Sequence, residues 1–153
     1  MDVDGVLTDG TVSLDEDGRQ RKSVSFADIM GVSVGRRAGL RFALISGESG
    51  PVLDHIAAKF GISDVFGGCK DKAGALREFA ERYDLGLEEI CYIGDDVNDV
   101  SALEICGLAA VPPQAHDTAR AHARLVTTRP AGAGSVREVI DAILAGRDVE
   151  VSA

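Results

Sequence analysis

From Arg41 onward, short apolar runs alternate with stretches whose apolar positions recur at helical spacing. Residues 42–45 (FALI) predict a strand, and Pro51 suits the first turn of the helix that follows. Residues 65–66 predict a weaker strand. Over 71–83, Ala75, Leu76, Phe79 and Tyr83 fall on one helical face. ICYIG (90–94) predicts a buried strand, 98–105 a helix and GLAAV (107–111) another strand. A short helix around 115–122, a strand at LVTT (125–128) and a closing helix over 135–146 complete the pattern, with Gly146 as that helix's C-terminal stop.

Strands separated by helices of this length imply right-handed βαβ units, hence an α/β fold with a doubly wound, mostly parallel sheet. The segment after Asp9 breaks the rhythm. Val12 and Leu14, then Val24 and Phe26, alternate across a DEDG turn, which predicts a β-hairpin over about residues 10–26, inserted just after the first strand. No repeat or linker divides the chain, so residues 1–153 are expected to form a single domain.

Composition narrows the partners. The formal net charge of −9 argues against nucleic acid or an anionic membrane. An anionic substrate would then need a local cation to reverse the field. Three cysteines at scattered spacing fit a reducing compartment, and no apolar run approaches a membrane span, so the expected location is the cytoplasm.

Ligands of doubly wound sheets bind at the C-terminal ends of the strands, so the polar residues following each apolar run carry the chemistry. Asp2 and Asp4 follow the first, Ser46 and Gly47 the second, Lys70, Asp71 and Lys72 the third, and Asp95, Asp96 and Asp99 the fourth. Converging carboxylates repel one another unless a hard cation joins them, and Mg²⁺ takes oxygen ligands of this kind. A carboxylate nucleophile, a second acid to move a proton, and a hydroxyl and an ammonium to hold phosphate oxygens suit phosphoryl transfer. Singly, each element has a bland alternative: a DxD in a turn, a Ser-Gly turn, a solvated lysine. The order of all four favours catalysis.

These stretches, DVDGVLTDG, LISG, KDK and GDDVND, resemble the four motifs of the haloacid dehalogenase phosphatase superfamily, in their usual order. The resemblance implies a Rossmann-like fold and an aspartyl-phosphate intermediate. It makes Asp2 the nucleophile, Asp4 the general acid/base, Ser46 the motif-two hydroxyl and Lys72 the motif-three lysine. Mg²⁺ would sit on Asp2, the Asp4 carbonyl and Asp95, with Asp96 and Asp99 in support. Within the superfamily the chain is similar to the capless phosphatases of 3-deoxy-octulosonate 8-phosphate and of nine-carbon 2-keto acid 9-phosphates. That branch implies a phosphorylated sugar acid as substrate and a homotetramer whose hairpins form a barrel-like core, a neighbouring subunit covering each active site.

Three departures bear on the substrate. Where the octulosonate enzymes usually carry TGR, this chain has Ser46, Gly47 and Glu48; with Lys59 that looks more like the nine-carbon branch. The family's F-x-x-x-D-G-x-G loop reads FADIMGVS, with Met30 and Ser33 replacing an Asp and a Gly, and the tail's Gly-Gly-Arg-Gly reads AGAG, with Ala133 in the arginine position. Asp9 is a further candidate for substrate contact or for orienting the hairpin. Two rival readings are a phospho-accepting signalling domain, disfavoured because the DxD leads and the acid cluster comes late, and a weakly catalytic module serving sugar-acid activation. A nucleophile at position 2 has almost no strand before it, so the numbering is expected to begin inside a longer chain.

Overall fold

The computed structural model describes residues 1–151. The hairpin pairs β1 (Ser13–Leu14) with β2 (Gln20–Arg21) antiparallel. The remaining strands, β3 (Ala43–Ile45), β4 (Asp64–Phe66), β5 (Cys91–Ile93), β6 (Leu108–Val111) and β7 (Leu125–Val126), pair parallel as β3 with β4 and as β5 with β6 with β7.

Residues 1–3 join these two groups. The Met1 nitrogen donates to the Ala43 carbonyl at 3.0 Å, and the Met1 carbonyl accepts from Ile45 at 2.9 Å. On the other side, Asp2 N–H donates to Ile93 at 2.9 Å. The short segment therefore acts as the central strand of one sheet ordered β4, β3, residues 1–3, β5, β6, β7. Chain order reverses direction at this centre, which is the switch point where such sheets place their ligands.

Side chains alternate across the sheet as pleating requires. Leu44, Ile93 and Ala110 pack on one face with helices α1 (Phe26–Arg37), α2 (Pro51–Phe60) and α6 (Ser135–Val151). Ala43, Ile45, Tyr92, Ala109 and Val111 pack on the other with α3 (Lys72–Arg82), α4 (Val100–Ile105) and α5 (Asp117–Ala121). No helix among the described residues is long and apolar enough to cross a membrane.

Three expectations need correction. The hairpin's returning strand is Gln20–Arg21 and not the stretch of Val24 and Phe26: the turn closes on Asp15, whose carboxylate accepts from Asp17 and Arg19 N–H, and Phe26 already opens α1. FADIMGVS is not a loop: Ser25 caps it, accepting from Ala27 N–H, and it opens α1. Apolar periodicity misses this helix because its buried residues are Asp28, Gly31, Val32 and Gly35, only one of them a large apolar side chain. A Cβ on Gly31 would crowd Arg137, and one on Gly35 would crowd the Phe42 ring, whereas Phe26 and Met30 face outward. Gly146 also does not stop the last helix, which continues to Val151. Glycine inside a helix costs only about 1 kcal/mol relative to alanine, too little to end a helix whose flanking residues propagate it.

Candidate active site

The first turn of the chain is built to approach the end of β5. After Val3, whose carbonyl accepts from the N–H groups of Val6, Leu7 and Thr8, the backbone doubles back around Gly5 at φ +77°. A Cβ at Gly5 would overlap the Asp95 carboxylate, so only glycine lets the turn come this near. The buried Thr8 hydroxyl braces the turn, accepting from Gly5 and Gly10 N–H, each at 3.2 Å.

At the centre lies Lys72, the first residue of α3, fully buried. Its ammonium reaches Asp2 Oδ2 at 2.9 Å and Asp99 Oδ1 at 2.7 Å. Asp99 closes the 3-10 turn over Val97–Asp99 and is saturated with donors. Tyr92 O–H donates to Oδ1 at 2.7 Å, and Asp95 and Asp96 N–H donate to Oδ2 at 2.9 and 3.1 Å. Asp99 thus ties lysine, tyrosine and the GDD backbone into one rigid unit.

The electrostatics follow from the count of charges. Carboxylate oxygens of Asp2, Asp95 and Asp99 lie within 4.8 Å of one another, against one buried ammonium. Burial, then repulsion from Asp2, Asp99 and Asp96, pushes Asp95 up to about 8. Burial and Asp99 push Asp2 up to about 6 despite Lys72. Asp99 is also pressed upward by burial, but Lys72, Tyr92 and the Asp95 backbone overcome this and hold it below the usual carboxylate range. Lys72 loses to burial and gains more from its two acids, so it stays above the ordinary lysine value. With all three acids ionised the set is two positive charges short, which is the charge a divalent cation carries. With Asp99 committed to protein donors, Asp2 and Asp95 are the oxygen ligands that fit a hard divalent cation.

Asp4 faces a different neighbourhood. Its two oxygens accept from Lys22 at 2.7 and 2.9 Å, and the pair shares a cleft with Gln20, Ser46, Glu48 and Ser49. Ser46, buried at the end of β3, has its hydroxyl accepting from Glu48 N–H at 3.1 Å. Gly47 comes to within reach of Asn98, its Cβ position lying 4.0 Å from Nδ2.

The fold therefore gathers Asp2, Lys72, Asp95 and Asp99 into one cluster, with Asp4, Ser46 and Glu48 in the adjoining cleft. It does not bring every candidate in. Asp96 is exposed and turns to cap the 3-10 helix, accepting from Val97 N–H at 2.7 Å. Asp9 is exposed and accepts from the N–H and hydroxyl of Thr11 at 2.9 and 2.6 Å. The Lys59 ammonium lies 5.4 Å from the Phe26 ring centroid rather than along the cleft. Ala133 is exposed on the tail loop.

Two residues of consequence escape sequence reasoning. Lys22 stands in the basic run RQRK, indistinguishable there from a solvated cation. Asp28 is fully buried in α1 and caps α6 from outside, accepting from Gly134 N–H at 3.2 Å and Arg137 N–H at 2.9 Å. The loop it anchors also donates from Gly132 N–H to Val6 in the catalytic turn. Its only sequence signal is an acid in a helix's first turn, which usually serves that same helix.

Comparisons with known proteins agree with this geometry. Residues 43–140 match the haloacid dehalogenase-like hydrolase family. The 3-deoxy-D-manno-octulosonate 8-phosphate phosphatase of Escherichia coli strain K12 is 31% identical over 144 residues, spanning 94% of this chain and 77% of that protein. The corresponding phosphatase of Moraxella catarrhalis, solved with magnesium, phosphate and KDO, superposes with a TM-score of 0.91 at 33% identity, covering 94% of this chain and 83% of that one. The Yersinia pestis enzyme gives a TM-score of 0.93 at 32% identity over 96% and 80%. The chain belongs to the haloacid dehalogenase-like hydrolases, as a phosphoric monoester hydrolase with no cap domain among the described residues.

Proposed function

We propose that this protein is a Mg²⁺-dependent phosphatase of a phosphorylated 2-keto-3-deoxy sugar acid of eight or nine carbons. The observation that carries the reading is the cluster at the switch point: a buried Lys72 shared by Asp2 and Asp99, with Asp95 alongside and Asp4 two residues on. The octulosonate phosphatases among the relatives favour the eight-carbon substrate. Glu48 in the cleft is the feature that keeps the nine-carbon acid in view.

In this reading Asp2 attacks phosphorus, the ester P–O bond breaks, and Asp4 gives its proton to the departing sugar oxygen. Water then attacks the aspartyl phosphate while Asp4 takes its proton, releasing inorganic phosphate and restoring Asp2. Lys72 holds Asp2 in place and offsets the phosphate's charge, and Ser46 offers a hydroxyl to a non-bridging oxygen. Asp2, Asp95 and the Asp4 carbonyl would hold Mg²⁺, which would supply the positive charge a dianion needs to approach this acidic cleft.

The assembly belongs to the same proposal. Val12 and Leu14 on the hairpin and Phe26 and Met30 on α1 are exposed apolar residues, which suits hairpin-to-hairpin packing in a homotetramer with a neighbour closing each site. Three free cysteines suit a cytoplasmic location. The test is a screen of phosphorylated eight- and nine-carbon 2-keto acids against hexose phosphates, reading phosphate release. Preference for the keto acids supports the reading; equal rates on all would overturn the specificity.

A further inference from the structure

The two acids of the first turn are held by separate lysines. Lys72 takes Asp2, whereas Lys22 takes Asp4, contacting both of its oxygens. Lys22 comes from the returning arm of the hairpin, immediately after β2, eighteen residues away. Its side chain is only 8% exposed, although the Asp4 side chain it holds is 33% exposed. Burying a lysine head at this depth is costly unless a carboxylate meets it, so the pair is a built contact and not a chance encounter at the surface. No other cation reaches Asp4 among the described residues.

A carboxylate that shuttles protons must meet the leaving oxygen in one rotamer. An unheld, one-third exposed aspartate visits several, and misplacement by about 1 Å can cost on the order of 100-fold in rate. Resting on the assignment of Asp4 as general acid/base, we infer that Lys22 is a positioning residue for Asp4. It makes the hairpin part of the catalytic apparatus as well as a packing surface. The ammonium holds both Asp4 oxygens and so fixes the carboxylate in the cleft that it shares with Ser46 and Glu48. Disturbing the hairpin therefore disturbs proton delivery to the leaving group, leaving the Asp2 cluster as it is.

That separation sets the test. Lys22→Met, Lys22→Arg and Asp4→Asn proteins are compared with wild type, each in saturating Mg²⁺, on 3-deoxy-octulosonate 8-phosphate and on p-nitrophenyl phosphate, whose leaving group departs without a proton. The comparison is read in kcat/KM, which ends with departure of the leaving group. It so excludes hydrolysis of the aspartyl phosphate, where Asp4 serves both substrates alike. Lys22→Met should lower kcat/KM by about 10- to 100-fold on the sugar-acid phosphate and much less on the nitrophenyl ester. Lys22→Arg should recover most of the loss, since a guanidinium can also donate to both carboxylate oxygens. A purely structural lysine would slow both substrates alike, and that result overturns the inference. So does wild-type kcat/KM in Lys22→Met while Asp4→Asn is impaired. Wild-type turnover by Asp4→Asn overturns the acid/base assignment and this inference together. If Lys22→Met does not fold, the Lys22→Arg protein carries the same comparison: a loss shared equally by both substrates contradicts the inference.

Discussion

Asp99 accepts four hydrogen bonds, from Lys72, from Tyr92 and from the backbones of Asp95 and Asp96, and the order of the site depends on them. Replacing it by Ala leaves a buried ammonium with one partner and two orphan backbone donors. Loss of a buried charge partner costs about 3–5 kcal/mol, so urea unfolding of Asp99→Ala should show a fall of that order, where a surface acid would give a few tenths. The cation ligands make a pH prediction. Asp95 titrates near 8 and Asp2 near 6 in the metal-free protein, both above the ordinary carboxylate value, so their protonated forms are favoured on folding. Their contribution to stability is accordingly greatest at acid pH and declines as pH rises from about 4 through 6 and 8. Mg²⁺ needs both ionised, so its binding releases protons below pH 8, and its affinity should climb from pH 6 to pH 8 and then level off. Calorimetry in buffers of different ionisation enthalpy reads that release directly; an affinity flat across the range would contradict it.

At the scale of elements, the catalytic turn is held by its glycine and by α6. Gly5→Ala forces a Cβ into the Asp95 carboxylate at a positive φ, so phosphate release should drop by at least about 100-fold with Mg²⁺ affinity reduced. Asp28→Ala removes the acceptor of two buried N–H groups at the start of α6 and should cost about 2 kcal/mol in thermal or urea unfolding. Asp28→Asn, which keeps one good acceptor, should cost less. These elements were unequally legible in the sequence. Every strand from 43 onward stood out, because its apolar run is bounded by glycine or polar residues, and the acids at the strand ends came with it. The α1 helix did not, because two glycines and Asp28 share its buried face with Val32 while Phe26 and Met30 point outward, inverting the usual pattern. The parts of the site in a single motif, GDDVND above all, were readable. Lys22 and Asp28 were not, since their partners lie 18 and more than 100 residues away and only the folded topology brings them together.

For the whole molecule, Gln20 and Lys22 of the hairpin segment line the cleft beside Asp4 and Ser46, and the same hairpin carries the exposed apolar residues Val12 and Leu14. If a neighbouring copy closes the site, light scattering will give a species of four 16.0 kDa chains. Leu14→Asp combined with Phe26→Asp should then yield smaller species with reduced turnover and an intact fold by circular dichroism. A fully active monomer would remove the neighbour from the account. The proposed chemistry rests on Asp2 attacking phosphate in a Mg²⁺-dependent hydrolysis. Its most direct test is the release of inorganic phosphate from 3-deoxy-octulosonate 8-phosphate by wild type and Asp2→Asn, with and without Mg²⁺. Wild type should release phosphate only with the metal, and Asp2→Asn should do so at a rate lower by at least about 1,000-fold. Turnover by Asp2→Asn at the wild-type rate would contradict that chemistry.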